Sequence, residues 1–259
     1  VEYTNIKLEK ENRVATIRLN RPDALNALNP EMLAELSSAV TDVGSDESIK
    51  ALVVRGEGRA FCAGADLAYF QTTFANTALL PPFLAQIAET LHQIERLPFP
   101  AIAVVQGFAL AGGLELMMAC DMVLVAEDAR IGDQHVNFGL MPGGGSTQRL
   151  PRRVGLQRAM ELLTTGKWVS GAEAVEWGLA LRAAPVERLD DELETLLTPL
   201  RTKSRTGLGL IKSVTLKGMA LSTEDGTALE GHAFIQYMTT SPHPAEGIQA
   251  FLEKRQPQF

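Results

Sequence analysis

Cysteine is scarce in this 259-residue chain, which has only Cys62 and Cys120. They lie in separate apolar segments with no CxxC spacing and no histidine or cysteine at metal-ligand distance, which argues against a disulfide framework and a zinc knuckle. Both are expected to be reduced packing residues, and no metal site is expected. Long apolar runs are also missing. None reaches the ~18 residues needed to cross a bilayer, and Val1, Glu2 and Tyr3 do not begin a charged-then-apolar leader. A cytoplasmic protein without a membrane partner is expected. Positive charge is in deficit, with 24 Lys and Arg against 31 Asp and Glu. A net charge of −7 argues against a nucleic-acid partner, because phosphate backbones need clustered cations. Any phosphate on a ligand must be met by a few local arginines or lysines. Repeats and low-complexity tracts are absent.

What is present suits a packed α/β chain. A hydrophobic content of 46% over this length can fill a full core. Ala15, Ile17 and Leu19 alternate with polar residues and predict a half-buried strand. Asn29-Pro30 is an N-cap followed by proline at the first helical position, and Leu33, Leu36, Val40 and Val43 form the apolar stripe of the helix that follows. Buried strands are predicted at residues 51–54, 101–105 and 122–126, and a helix over 77–97. A glycine-rich loop is predicted over 132–145, and residues 71–80 read as a loop able to reshape around a ligand. From residue 189 the pattern becomes helical, with segments at 190–200, 206–219, 223–237 and 244–254.

The segment PAIAVVQGFALAGGLELMMACD (100–121) is the most informative. A strand runs through a small-residue turn, 106–113, into a helix carrying Glu115 among Leu114, Leu116, Met117 and Met118. Glycines at such a junction leave peptide N–H groups pointing outward, where the helix N-terminus favours a negative oxygen. Apolar neighbours desolvate the carboxylate and raise its pKa into a range suited to moving protons. A Glu in a first turn also complements the helix dipole without any chemistry.

Four stretches, in order, carry a resemblance: NRPDALNAL (20–28), FCAGADL (61–67), AGGLELMMACD (111–121) and GLMPGGGSTQRLPR (139–152). Through them nearly the whole chain resembles the crotonase superfamily, the enoyl-CoA hydratase/isomerase family. The resemblance implies an α/β fold, with a crotonase-like spiral of ββα repeats and its coenzyme A site over residues 1–200. It implies a C-terminal helical trimerisation region over 201–259 and a homotrimer or dimer of trimers. It also implies an acyl-CoA thioester as substrate, with no cofactor beyond the coenzyme A of that substrate, in fatty acid metabolism.

Two backbone N–H groups grip the thioester oxygen in that family; carried over, they belong to Ala65 and Gly112. Its hydratases hold water between two glutamates. The first corresponds to Glu115, whereas the second position falls on His135 in the run IGDQHVNFG. An imidazole titrates near neutrality and can share acid and base roles with a carboxylate. Asp133 is placed to orient His135, and Asn137 to orient a water. For coenzyme A the resemblance marks the backbone of Ala24, Ala63, Ala65, Asp66, Leu67 and Gly112. Its phosphates and adenine fall to Arg21, Phe251 and Lys254, the last two from the C-terminal helices of the same or a neighbouring subunit, while Arg59 reads more simply as a solvated side chain. Tyr69, Phe70, Phe74 and Phe83 divide between core packing and an acyl chamber, and Trp168 and Trp177 look structural. Hydration of an enoyl-CoA is the leading expectation. The alternatives are double-bond isomerisation, hydrolysis or carbon–carbon cleavage of a β-keto thioester with His135 activating water, and a coenzyme-A-binding scaffold with little turnover.

Overall fold

Asn12 and Arg13 both adopt positive φ, 47° and 66°, the backbone that a two-residue turn between right-twisted strands requires. They join β1 (Ile6–Glu11) antiparallel to β2 (Val14–Leu19) in the computed structural model, which describes residues 2–259. Beyond β2 the sheet continues in parallel through β3 (Ala51–Gly56), β4 (Ala101–Val105), β6 (Met122–Ala126) and β9 (Arg182–Ala184). The sequences ALVV, AIAVV and VLVA in β3, β4 and β6 are buried without alternation, as parallel strands covered on both faces must be. A smaller sheet holds β5 (Phe108–Leu110), β7 (Arg130–Gly132) and β8 (Val169–Ser170).

Helix α1 (Pro30–Ser45) starts where expected: Asn29 Oδ1 accepts from the Met32 N–H, and Met32, Leu33, Leu36, Ala39, Val40 and Val43 form the buried face. It packs on α3 (Leu80–Glu95), whose buried face is Phe83, Ile87, Leu91 and Ile94. Each such side chain contributes roughly 1.5–3 kcal/mol by leaving water. Between them lies α2 (Leu67–Ala75), capped by Asp66, which accepts from the Ala68 and Tyr69 N–H groups. Residues 71–80 are therefore not a loop. They complete α2, pass through one 3-10 turn (Thr77–Leu79) and enter α3, because a side-chain cap and the Phe70–Phe83 ring contact fix a segment whose own pattern is weak. The junction at 106–113 likewise contains β5, which the small residues conceal.

Helix α4 (Gly112–Ala119) follows β5, and α5 (Ser146–Val154), α6 (Leu156–Thr165), α7 (Gly171–Glu176) and α8 (Leu189–Leu200) follow β6 and β7 in turn around β8 and β9. Three helices end the chain: α9 (Arg205–Gly218), α10 (Thr223–Thr240) and α11 (His243–Leu252). Cys62 and Cys120 are buried and free, and burial pushes both thiols up to about 12, so they stay uncharged.

Lys212 fastens α9 to the sheet. Its ammonium lies 2.7 Å from Asp121 and donates to the carbonyls of Ile94 and Phe99, while the same Asp121 oxygen accepts from the Ala101 N–H at the head of β4. Lys212 is buried and Asp121 partly so; removing one partner of a fully buried pair costs about 3–5 kcal/mol, so the low end applies here. Lys212→Ala is therefore expected to lower unfolding stability by about 3 kcal/mol in a urea titration, and an unchanged midpoint would show that Asp121 is held adequately by the backbone alone.

Candidate active site

The loop 61–65 is pinned from two sides. Cys62 pairs with Ala109 of β5 and Leu28 with Ala65, through Cys62 N–H to Phe108 O (2.9 Å), Leu110 N–H to Cys62 O (3.0 Å) and Leu28 N–H to Gly64 O (2.8 Å). These bonds leave the Ala65 N–H without a hydrogen-bond partner among the described residues, as is the Gly112 N–H at the start of α4. The two lie close together: a Cβ on Gly112 would stand 3.4 Å from Ala65 N, and one on Gly64 would stand 3.3 Å from Gly112 N. Gly64 has φ +109°, open to glycine at little cost. Ala111, just before α4, has φ 49° and ψ −117° and yet carries a side chain. A conformation of that kind costs on the order of 1–3 kcal/mol and sets the start of α4 beside Ala65. Two unpartnered donors side by side are an arrangement that can receive a developing negative oxygen.

Glu115 sits one turn into α4 and is 2% exposed. Its Oε1 accepts from Gly144 N–H (2.9 Å) and Ser146 N–H (3.0 Å), while Oε2 has no hydrogen-bond partner among the described residues. A Cβ on Gly144 would fall 2.3 Å from Oε2, so only glycine admits the carboxylate there. Burial raises the Glu115 pKa, against the stabilising Ser146 and Gly144 donors and the charge of His135; Asp133 adds to the rise.

His135 begins a 3-10 turn (His135–Phe138) inside the loop expected over 132–145. Its Nδ1 lies 2.8 Å from Asp133 Oδ1, and its backbone N–H donates to the same oxygen at 3.3 Å. Burial opposes charge on the imidazole, but the Asp133 hydrogen bond and charge, with the charge of Glu115, outweigh it and raise the pKa. Asn137, expected to orient a water, has its amide nitrogen engaged within the protein. Its amide donates to Gln134 Oε1 and Gly166 O and ties the turn to the end of α6.

The other sequence candidates divide. Arg21 is committed within the chain: it pairs with Asp66 at 2.8 Å and donates to Ala27 O, which binds the 21–27 loop to the start of α2. Ala24 lies in the adjoining 3-10 turn (Pro22–Ala24), Ala63 donates to Leu25 O, and Leu67 is half exposed at the head of α2. These residues form one continuous rim beside Ala65. Phe251, 82% exposed, and Lys254 have no hydrogen bond or ion pair to that rim, and Arg59 is exposed beside it. Tyr69, Phe70, Phe74 and Phe83 make one ring cluster, with Phe83 buried and Phe74 at the surface.

Three supporting residues escaped sequence reasoning. Asn26 is fully buried and donates to Glu57 O and Ala60 O. Gln106 donates to Gly56 O from the other side. Arg149 pairs with Glu95 at 2.7 Å and donates to Gly144 O at 2.7 Å. Asn26 and Arg149 stand inside the motifs NRPDALNAL and GLMPGGGSTQRLPR, which was the available signal.

A family model described as enoyl-CoA hydratase/isomerase matches residues 9–259. Among curated proteins, a crotonyl-CoA hydratase of Syntrophomonas wolfei is 38% identical, covering 99% of this chain and 98% of its own. A probable enoyl-CoA hydratase of Mycobacterium bovis is 36% identical over 99% of this chain and 98% of its own. The crystal structure of an enoyl-CoA hydratase from Bacillus anthracis superposes with a TM-score of 0.94 at 34% identity, covering 99% of both chains.

The raised Glu115 pKa fixes a sign. Its folded value lies above its unfolded one, so its contribution to stability is complete below the ordinary carboxylate range and is lost as pH rises through the raised value. Glu115→Gln keeps an acceptor for Gly144 and Ser146 but no charge. At neutral pH the variant is expected to unfold at an equal or higher denaturant concentration than the parent while losing turnover; a clearly lower midpoint would show that burial does not dominate.

Proposed function

Because the chain belongs to the enoyl-CoA hydratase/isomerase family, we propose that it hydrates an enoyl-CoA thioester, with Glu115 and His135 moving protons and the Ala65 and Gly112 N–H groups holding the thioester oxygen. The observation that carries this reading is the meeting of two unpartnered backbone donors with a buried carboxylate and an imidazole that influence each other's ionisation. Glu115 Oε2 and His135 Nε2 are two basic sites, and with one proton between them the pair can both give and receive. The water oxygen bonds to C3 and surrenders a proton to one of the pair. The C2=C3 electrons move to the thioester oxygen, and C2 takes its proton from the other. The pair again holds one proton. Each oxyanion donor is typically worth about 2.7–4 kcal/mol in the transition state. Addition of water changes no oxidation state overall, so the reading calls for no cofactor beyond the coenzyme A of the substrate.

The backbone rim of Ala24, Ala63, Ala65, Asp66 and Leu67 is the proposed track for pantetheine and nucleotide, with Arg21 bordering it. Phe251 and Lys254 reach a nucleotide in this reading only from a neighbouring copy. Association through the C-terminal helices fits their exposed Ile211, Leu216, Met219, Phe234, Ile235 and Met238. We therefore place residues 1–200 in the catalytic body and 201–259 in a region that joins copies as a homotrimer or dimer of trimers. A monodisperse monomer in sedimentation would contradict that assembly.

Crotonyl-CoA and longer enoyl-CoAs incubated in heavy-oxygen water are expected to yield 3-hydroxyacyl-CoA labelled at C3. Glu115→Gln and His135→Ala are each expected to reduce turnover about 10²–10⁴-fold, the range for losing a general acid or base. A shifted alkene would make the reaction an isomerisation, and free acid would make it a hydrolysis. Full turnover in both variants would remove the catalytic assignment.

A further inference from the structure

Asp133 is buried completely, its side chain having 0% exposure. Among the described residues its Oδ1 accepts only from the Nδ1 and the backbone N–H of His135, and its Oδ2 has no partner at all. A carboxylate withdrawn from water needs a donor for each charge it keeps. His135 Nδ1–H is the one side-chain donor that reaches it. With Asp133 as a carboxylate, this contact calls for hydrogen on Nδ1 in both charge states of the ring and leaves Nε2 as the atom whose proton comes and goes.

The charge count of this arrangement is informative. An ionised Asp133 with a neutral imidazole carries −1, and with an imidazolium carries zero. Those are the two charge states of a single carboxylic acid. A lone imidazole would offer zero and +1 beside Glu115, a different electrostatic partner. We propose that Asp133 and His135 form a composite acid/base that behaves toward Glu115 and substrate as one carboxylic acid, with Asp133 the positioning residue and His135 Nε2 the atom that exchanges the proton. The proposal rests on the reading that His135 moves a proton in the reaction. It also accounts for the histidine at a position where the family resemblance places a glutamate.

The charged groups acting on the imidazole are Asp133, next to the end of β7, and Glu115, on α4. The end of α6 meets the His135 turn through uncharged groups, the amides of Gln134 and Asn137 on Gly166 O. Among the described residues, Asp133 and Glu115 are thus the charges that act on the ring.

Two measurements test the composite. In protein labelled with 15N at its four histidines, with His135→Gln assigning the signal, the neutral His135 ring is expected as the Nδ1–H tautomer. Asp133→Asn retains an acceptor for Nδ1–H but removes the charge, so the ring should keep its tautomer and lose proton affinity about 10-fold or more. The limb of the kcat/KM profile belonging to that ring should move to lower pH with it. A wild-type Nε2–H tautomer, or an unmoved titration in Asp133→Asn, overturns the proposal without reference to any substrate.

The second measurement is a double-mutant cycle on crotonyl-CoA hydration. His135→Glu alone sets a second carboxylate against buried Asp133, and Asp133→Asn alone removes the composite's charge, so each should lose at least 10-fold in kcat/KM. Asp133→Asn with His135→Glu restores one carboxylic acid of the correct charge and should exceed both single variants. Losses that simply multiply would sink the composite. If wild type shows the tautomer and titration expected but His135→Ala turns over fully, the Asp133–His135 pair exists but the proton-moving role of His135 fails, and the composite acid/base fails with it while hydration stands.

Discussion

Everything at the candidate site depends on keeping one carboxylate dry. Glu115 is carried into the core by a helix whose other side chains are Leu, Met and Ala, and it is tolerable there because two peptide N–H groups meet one of its oxygens. Those donors come from Gly144 and Ser146, about thirty residues downstream, so the burial of Glu115 and the path of the glycine-rich loop are one constraint. Neither is satisfied without the other. Gly144 must lack a side chain for the carboxylate to fit, and the carboxylate is one of the groups that hold the loop on its course.

That constraint propagates outward through charges rather than apolar contacts. Arg149 holds the carbonyl of the same Gly144 whose N–H holds Glu115, and Arg149 is itself held by Glu95 on α3. A relay of four groups thus runs from α3 to α5, across the loop and into α4. On the opposite side the fold accepts strain: Ala111 occupies a backbone region better suited to glycine, held there by its N–H on Gly132 O and by the start of α4. The strain and the aim of the Gly112 N–H are two aspects of one bend.

Much of this was legible in the sequence wherever a residue's role is local. The cap at Asn29-Pro30, the uninterrupted apolar strands and the burial of Glu115 by its own helix all follow from neighbours within a turn or two. What could not be read depends on residues far apart in the chain. Three-residue β5 exists because β7, more than twenty residues downstream, pairs along it and Cys62, more than forty upstream, bridges to Ala109. Residues 71–75 are helical because Asp66 caps them and a ring from α3 covers them. Arg21 has a cation's freedom on paper, yet in the fold Asp66 and Ala27 engage it. His135 stands where the resemblance implies a glutamate, and only the fold sets the fully buried Asp133 carboxylate against its Nδ1.

The two rims of the larger sheet bear on how copies of the chain meet. At one rim, β1 presents Lys7, Glu9, Lys10 and Glu11, and at the other β9 is three residues long. Strands that are heavily charged or very short are poor templates for another strand. Sheet extension between molecules, the usual route to fibrous aggregates, is thereby closed at both ends. What remains adhesive is the apolar surface of α9 and α10, where contacts are made by side chains of fixed shape rather than by a repeating backbone. A second copy of the chain would therefore be met by side-chain packing at that face and not by a shared strand.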